Sequence, residues 1–294
     1  MGAIGFYLFY GINWVITLLP FRILYLISDL LFLVLYYFPS YRRKVVAANL
    51  KNAFPEKSDD ELLKIEKGFY KHLADMFIET LKLTHMSSKM LKKRLFVTNP
   101  EIINKFRDEG IDIIAVCGHY NNWEWYAAIP LFTDIKSISI YKPLKNKWFN
   151  KIINDLRSKH GMNVTPMSNI VREIIRDRNK GISTFSVFVA DQTPSITDIK
   201  FWTQFLNQDT AVYLGAEKIA TKYDMAVVFL NNQKITRGYY TLTFEVLFEH
   251  TAGLPEYTVT EAHVRRLEEL IREKPEYWIW SHRRWKHKRE PQDG

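Results

Sequence analysis

Hydrophobic and polar positions divide the 294-residue chain into two unequal parts. In the first 41 residues the stretch "FYLFYGINWVITLLPFRILYLISDLLFLVLYYFPSY" carries one Arg and one Asp. Residues 3–19 are uncharged but interrupted by Asn13, and residues 23–38 hold only Asp29. As helices, the two segments are each about 24–26 Å long, a little short of a ~30 Å hydrocarbon core. They predict an N-terminal membrane anchor over residues 1–41, built as one span with an interfacial helix or as a shallow hairpin. The competing reading is a buried helical hairpin in a soluble protein. Arg42, Arg43 and Lys44 follow directly, which argues that residues 42–294 stay on the cytoplasmic side. A cleavable leader is not expected, because no basic segment precedes the apolar stretch and no small-residue cleavage site follows it.

Beyond the anchor the period changes repeatedly. "SYRRKVVAANLKNAF" predicts a helix, and "SDDELLKIEKGFYKHLADMFIETLKL" a second one, opened by Ser58 and Glu61 in capping-box spacing. A short helix from Pro100 ends at Gly110. There "IDIIAVC" begins an apolar, β-branched run that reads as a buried strand. The alternation then continues: "NNWEWYAAIPLF" helix, "DIKSISIY" strand, "NKWFNKIINDLRSKHG" helix, "MNVTPM" strand, "SNIVREIIRDRNKG" helix, "ISTFSVFVA" strand. Further on, "AVYLGAEKIATKY" reads as a helix, "YYTLTFEVLF" as a half-exposed strand and "TEAHVRRLEELIREK" as a last helix. Strands separated by helices of this length predict a single α/β domain with a mostly parallel central sheet flanked by helices. Functional groups in such sheets gather at the carboxyl ends of strands, where Cys117–His119 and Ala190–Gln192 fall.

Composition narrows the classes. A hydrophobic content of 47% is enough for a core and excludes intrinsic disorder. A net charge of +9 favours anionic partners without choosing among nucleic acid, lipid headgroups and acidic proteins. Cys117 is the single cysteine, so neither an intramolecular disulfide nor a Cys-rich zinc site forms, which fits a reducing compartment.

The candidate chemistry centres on "AVCGHYNNWEWY", residues 115–126. Glu124 lies five residues beyond His119, so a tight turn would fold its carboxylate onto one imidazole nitrogen and leave the other facing the cleft as a general base. The alternative is that Glu124 serves only the dipole of the following helix. Cys117 shares a strand face with His119, but among Ala115 and Val116 it reads as a core residue rather than a nucleophile. The tail "WIWSHRRWKHKRE" mixes tryptophans with Arg283, Arg284, Lys286, Lys288 and Arg289. That mixture suits single-stranded nucleic acid or a bilayer interface, and the apolar N-terminus favours the bilayer.

His-x-x-x-x-Glu after a buried strand resembles the H-x4-D/E motif of glycerolipid-type acyltransferases, and the longer pattern resembles the late lipid A acyltransferases of Gram-negative bacteria. "RRKVVAANLKNAFPEKS", "GHYNNWEW", "YKPLKN", "DQTPS" and "PEYWIWSHRRWKHK" follow in that family's order over nearly the whole chain. Two departures stand out: Lys142 where the family usually has Arg, and Phe205-Leu206-Asn207 in place of its FFG element. The resemblance implies transfer of a fatty acyl chain from a thioester on acyl carrier protein to a hydroxyl of a lipid A precursor, at the cytoplasmic face of the inner membrane. His119 would be the base and Glu124 its partner. A thioester is already activated, so no metal or further cofactor is expected. Arg157 would bind acceptor phosphate or support the oxyanion, or be an ordinary helix-end arginine. Lys142 and Asn146 would contact the carrier's phosphopantetheine or the lipid headgroup. Asp191 and Gln192 would lie beside the cleft or simply close a turn. Arg283 and Arg284 would meet the headgroups or the acidic carrier. Another membrane lipid, an aminolipid or a glycosylated phospholipid, would fit the same chemistry as acceptor. A reading of another class is a membrane-tethered module that binds nucleic acid or protein through its basic tail.

Overall fold

The computed structural model describes residues 3–38, 41–143 and 146–289, excepting the side chains of residues 3–9. Leu144 and Lys145, within the "YKPLKN" stretch, lie outside them. The apolar N-terminus forms two helices, α1 (Ala3–Leu18) and α2 (Phe21–Tyr37). Pro20 separates them, since its ring and missing N–H break the helical ladder. No helix among the described residues is long and apolar enough to cross a membrane, so the spanning form of the expected anchor is not supported.

Helices α3 (Arg43–Ala53) and α4 (Asp59–Lys82) follow. Ser58 and Glu61 form the expected capping box, Ser58 N donating to Glu61 Oε2 at 2.9 Å. The stripe Leu24, Ser28 and Tyr36 of α2 is buried. Its polar edge is bound to the body: Ser28 Oγ donates to Asp75 Oδ1 at 2.7 Å, and Arg237 Nη2 donates to both Asp75 (2.5 Å) and Asp29 (2.7 Å). Asp29, the lone carboxylate in that apolar helix, is therefore one end of a clamp.

The alternating region builds α5 (Ser88–Lys92), β1 (Leu95–Val97), α6 (Pro100–Asp108), β2 (Ile113–Cys117), a 3-10 segment Trp123–Leu131, β3 (Lys136–Tyr141), α7 (Lys147–Ser158), β4 (Asn163–Pro166), α8 (Ile170–Arg178) and β5 (Thr184–Val189). The hairpin β6 (Trp202–Phe205) and β7 (Gln208–Ala211) follows, then α9 (Gly215–Tyr223), β8 (Ala226–Thr236), β9 (Tyr239–Phe248) and α10 (Thr258–Glu273). The main sheet has the order β1-β9-β8-β2-β5-β3-β4, parallel except where β8 and β9 form a hairpin. This is the expected α/β architecture. All five residues of β2 are buried. Ile114 and Val116 belong to one hydrophobic layer, and Ile113, Ala115 and Cys117 to the other, which is why the strand reads as an unbroken apolar run.

The tip of the β8–β9 hairpin presses on α2. Gly238 has φ +74°, and a Cβ there would strike Tyr25 Oη, so both conformation and space require glycine. The neighbouring Arg237 is stacked over the Tyr25 ring at 4.4 Å.

Replacing Asp75 by Ala leaves Arg237 and Lys234 with a buried deficit of negative charge. We expect a loss of about 3 kcal/mol in urea unfolding. Asp29→Ala, at the half-exposed end of the same clamp, should cost under about 1 kcal/mol. Equal losses would mean that the clamp is not centred on Asp75.

Candidate active site

β2 and β5 run parallel and in register, Cys117 opposite Val189. Ala190 N donates to Cys117 O at 2.9 Å, extending the ladder by one step. Two residues past that pair on each strand stand His119 and Asp191, and they meet. His119 Nδ1 lies 2.6 Å from Asp191 Oδ1, while His119 N and Trp278 Nε1 both donate to Asp191 Oδ2, at 2.7 and 2.8 Å. Gly118 makes room for this approach: a Cβ there would stand 2.7 Å from Leu267 and 3.0 Å from Asp191 Oδ2.

Asp191 is buried, and burial alone would raise its pKa. The His119 charge and the N–H donors outweigh that and hold the carboxyl at about 2. An ionised carboxylate only accepts, so Nδ1 presents its proton to Asp191, and in the neutral ring the lone pair is on Nε2. Nε2 is 3.1 Å from the amide nitrogen of exposed Gln192, which donates to it. The ring is also held edge-on by Trp123, centroids 4.8 Å apart at 75°.

Glu124 does not reach the imidazole, contrary to the expectation from its spacing. Its carboxylate takes a two-pronged bond from Arg157, Nε to Oε2 at 2.9 Å and Nη2 to Oε1 at 2.7 Å, and a third donor in Trp123 Nε1 at 3.2 Å. The physical reason is twofold. Strand register gives Nδ1 to Asp191, and a permanently charged planar guanidinium matches a carboxylate better than an imidazole does. Arg157 is correspondingly a half-buried partner in an ion pair rather than a solvated helix end. Glu124 thus touches His119 only through Trp123. A cavity of about 30 Å³ lies beside this pair, lined by Tyr126, Ile140, Met162 and Val187 among others.

The remaining candidates separate. Asn146 caps α7, its Oδ1 accepting from Trp148 N (3.0 Å) and Phe149 N (3.4 Å), so its carbonyl is committed to the helix. Lys142 is exposed just past β3, on the same edge of the sheet as His119. Arg283 is exposed, and with Lys44, Lys286, Lys288 and Arg289 it lines a groove of about 820 Å³ against α3. Arg284 is not on that surface. It is buried, donates through Nη2 to Ala211 O at 2.7 Å, and borders a cavity of about 10 Å³ shared with His263 and Asp191. Burial draws its pKa down to about 10 and that of His263 to about 4, with Asp191 acting in the opposite direction on both. Two of the tail tryptophans are core residues, Trp278 and Trp280, while half-buried Trp285 lines the basic groove with its Nε1 donating to Thr210 Oγ1 at 2.7 Å. The tail therefore offers cations but no stacking platform of exposed indoles. Cys117 is an inert core thiol, pushed up by burial and by Asp191.

Asn121 and Asn122, which motif reasoning did not assign, fix the loop that carries His119. Asn121 adopts φ +53° and donates through Nδ2 to Asn232 O at 2.7 Å, and Asn122 Nδ2 donates to the buried Glu79 at 2.8 Å. Their polarity amid an apolar run was the available signal. In the FFG-like element, Leu206 and Asn207 both have positive φ and form the two-residue turn between β6 and β7. Asn tolerates that region where the family usually has Gly.

Fold and site together define an α/β protein that presents a carboxylate-backed imidazole at the carboxyl edge of its sheet. The chain belongs to the bacterial lipid A biosynthesis acyltransferase family, whose sequence model matches residues 2–287. No curated protein matches it.

The Asp191 shift fixes an acid dependence. Its folded pKa of about 2 lies below the ordinary 3.8, so its contribution is fully present above about pH 4 and is lost as pH falls through about 2. The contribution is about 2 kcal/mol. Denaturant unfolding of wild type should therefore weaken more between pH 6 and pH 2.5 than that of Asp191→Asn. Parallel losses would contradict the depressed carboxyl.

Proposed function

We propose that the protein moves a fatty acyl chain from the thioester of acyl carrier protein to a hydroxyl of a lipid A precursor at the inner membrane, with His119 as general base and Asp191 as the group that orients it. The acceptor hydroxyl takes the place of the Gln192 amide at Nε2. Its oxygen attacks the thioester carbonyl as its proton passes to Nε2, and the imidazolium so formed faces the Asp191 carboxylate. The tetrahedral adduct collapses, an ester forms, and the departing thiolate takes the proton back from Nε2. The displaced Gln192 amide is a neutral donor beside the carbon that bears the developing oxyanion. Glu124 is a positioning residue: bound to Arg157, it holds Trp123 against the imidazole. Arg283 and the cations around it offer an anionic carrier or headgroup a landing surface.

The observation that carries this reading is the His119–Asp191 pair with Nε2 turned outward, in a chain of this family. A free serine or cysteine nucleophile is not called for, because the acceptor brings its own hydroxyl. Against a nucleic-acid module stands the burial of Trp278 and Trp280, which leaves half-buried Trp285 as the one tail indole bordering the cationic groove among the described residues, short of a row for successive bases.

Initial rates with acyl carrier protein thioesters and a lipid A precursor test the assignment. His119→Ala and Asp191→Asn should each lower kcat by about 10²–10⁴, with little change in KM. Glu124→Gln and Arg157→Gln should be non-additive, the double variant losing no more than the worse single one. Full turnover by Asp191→Asn, with Glu124→Gln inactive, would return the orienting role to Glu124. Mass spectrometry of total lipids with and without the gene names the acceptor, and an unchanged lipid profile would overturn the reaction.

A further inference from the structure

More than half of the exposed large apolar side chains among the described residues fall within residues 10–38. On α2 they form one stripe, Leu26, Leu30, Leu33 and Val34, opposite the stripe that packs into the body. Single exposed leucines are ordinary, but a continuous apolar face on consecutive helices marks an interaction surface.

The face has a cationic border. Leu26, Leu30 and Leu33 line a groove of about 690 Å³ with Lys64, Lys67 and Lys71, which project from one side of α4 at helical spacing. All three lysines are exposed. The one carboxylate lining the groove, Asp29, is bound by Arg237. Leucines flanked by a lysine row complement a layer of hydrocarbon under anionic headgroups.

Orientation follows from the opposite face. α2 is held through Tyr25, Ser28 and Asp29 to α4 and to the tip of the β8–β9 hairpin. Turning it upright in a bilayer would carry the Asp29–Arg237–Asp75 cluster into hydrocarbon, where charge is strongly disfavoured. Lying flat leaves that cluster in the protein. α1 is tied in too: Lys82 Nζ donates to Thr17 O at 2.5 Å, and Thr17 Oγ1 is 2.7 Å from His85 Nδ1.

We propose that α1 and α2 bind an anionic bilayer in its plane, leucines in the acyl region and Lys64, Lys67 and Lys71 on the headgroups, without spanning it. This deepens the membrane part of the function proposed above and rests on it only for the identity of the membrane.

Purified full-length protein is to be sedimented with vesicles of phosphatidylglycerol and phosphatidylethanolamine, and with phosphatidylcholine vesicles. Binding should favour the anionic vesicles and fall with salt. At about fivefold per lysine, Lys64→Glu/Lys67→Glu/Lys71→Glu should reduce it by about 100-fold or more. Leu26→Gln/Leu30→Gln should weaken binding to both vesicle types while thermal unfolding stays unchanged, since both side chains are largely exposed. Alkaline carbonate should release the bound protein; resistance to it would indicate a span and overturn the proposal. So would equal binding by the triple-lysine variant, or a dimer that Leu26→Gln/Leu30→Gln dissociates without any change in vesicle binding. His119→Ala should bind vesicles as wild type does, so loss of turnover with binding intact counts against the reaction alone.

Discussion

The contact between His119 and Asp191 is the constraint on which the site depends, and it is made by backbone register rather than by local sequence. β2 and β5 are adjacent and parallel, their last paired residues are Cys117 and Val189, and one more ladder bond carries the pairing past the strand ends. Both residues therefore leave the sheet side by side. A one-step slip of either strand would turn its side chains to the opposite face and separate the carboxylate from the ring. The burial of every β2 residue, in two different layers, is what forbids the slip. Packing of the core and placement of the imidazole are thus one problem.

Three carboxylates, Asp191 and Glu79 buried and Glu124 half-buried, surround this region, and their partners assign them different tasks. Asp191 faces an ionisable ring and is held at about 2 despite burial. Glu124 faces Arg157, a cation that cannot lose its charge, and so makes a fixed strut. Glu79 is raised by burial, the leading effect, although Asn122 and Tyr240 donate to it at 2.8 Å and Tyr25 at 2.9 Å. Those three donors are neutral groups. They join α2, α4, β9 and the loop after β2, so Glu79 acts as a knot in the scaffold. Only the first sets a carboxylate against an ionisable ring.

Much of this was legible in the sequence, and the parts that were not share a cause. Apolar periodicity gave the alternation, the parallel sheet and the strand ends at Cys117 and Ala190, because a doubly covered sheet leaves a strong pattern. The polar pair Asp191–Gln192 could be located at a strand end, but not beside His119, since nothing local tells which strand neighbours which. Closeness in sequence points to Glu124 as the partner, whereas the carboxylate that meets the imidazole is 72 residues away. Short elements escaped as well: β1 has three residues and β6 and β7 four each, too few for a period to show. The basic aromatic tail misled through composition, because Trp278, Trp280 and Arg284 face inward while Arg283 and Lys286 face out.

The N-terminal helices show the same ambiguity from the other side. An apolar segment with a single acid reads as membrane or as core, and α2 has the properties of both. Its Leu24–Ser28–Tyr36 side is core and its Leu26–Leu30–Leu33 side is exposed. Asp29 decides how the two are arranged. Paired to Arg237, which also holds Asp75, it ties the helix to the hairpin that extends β8 and β9, and β8 is the neighbour of β2. A rigid path of packed elements therefore joins the exposed leucines to the strand that presents His119. The apolar face and the imidazole therefore keep a fixed relative position, and the proposed transfer between a bilayer acceptor and a soluble donor draws on that rigidity.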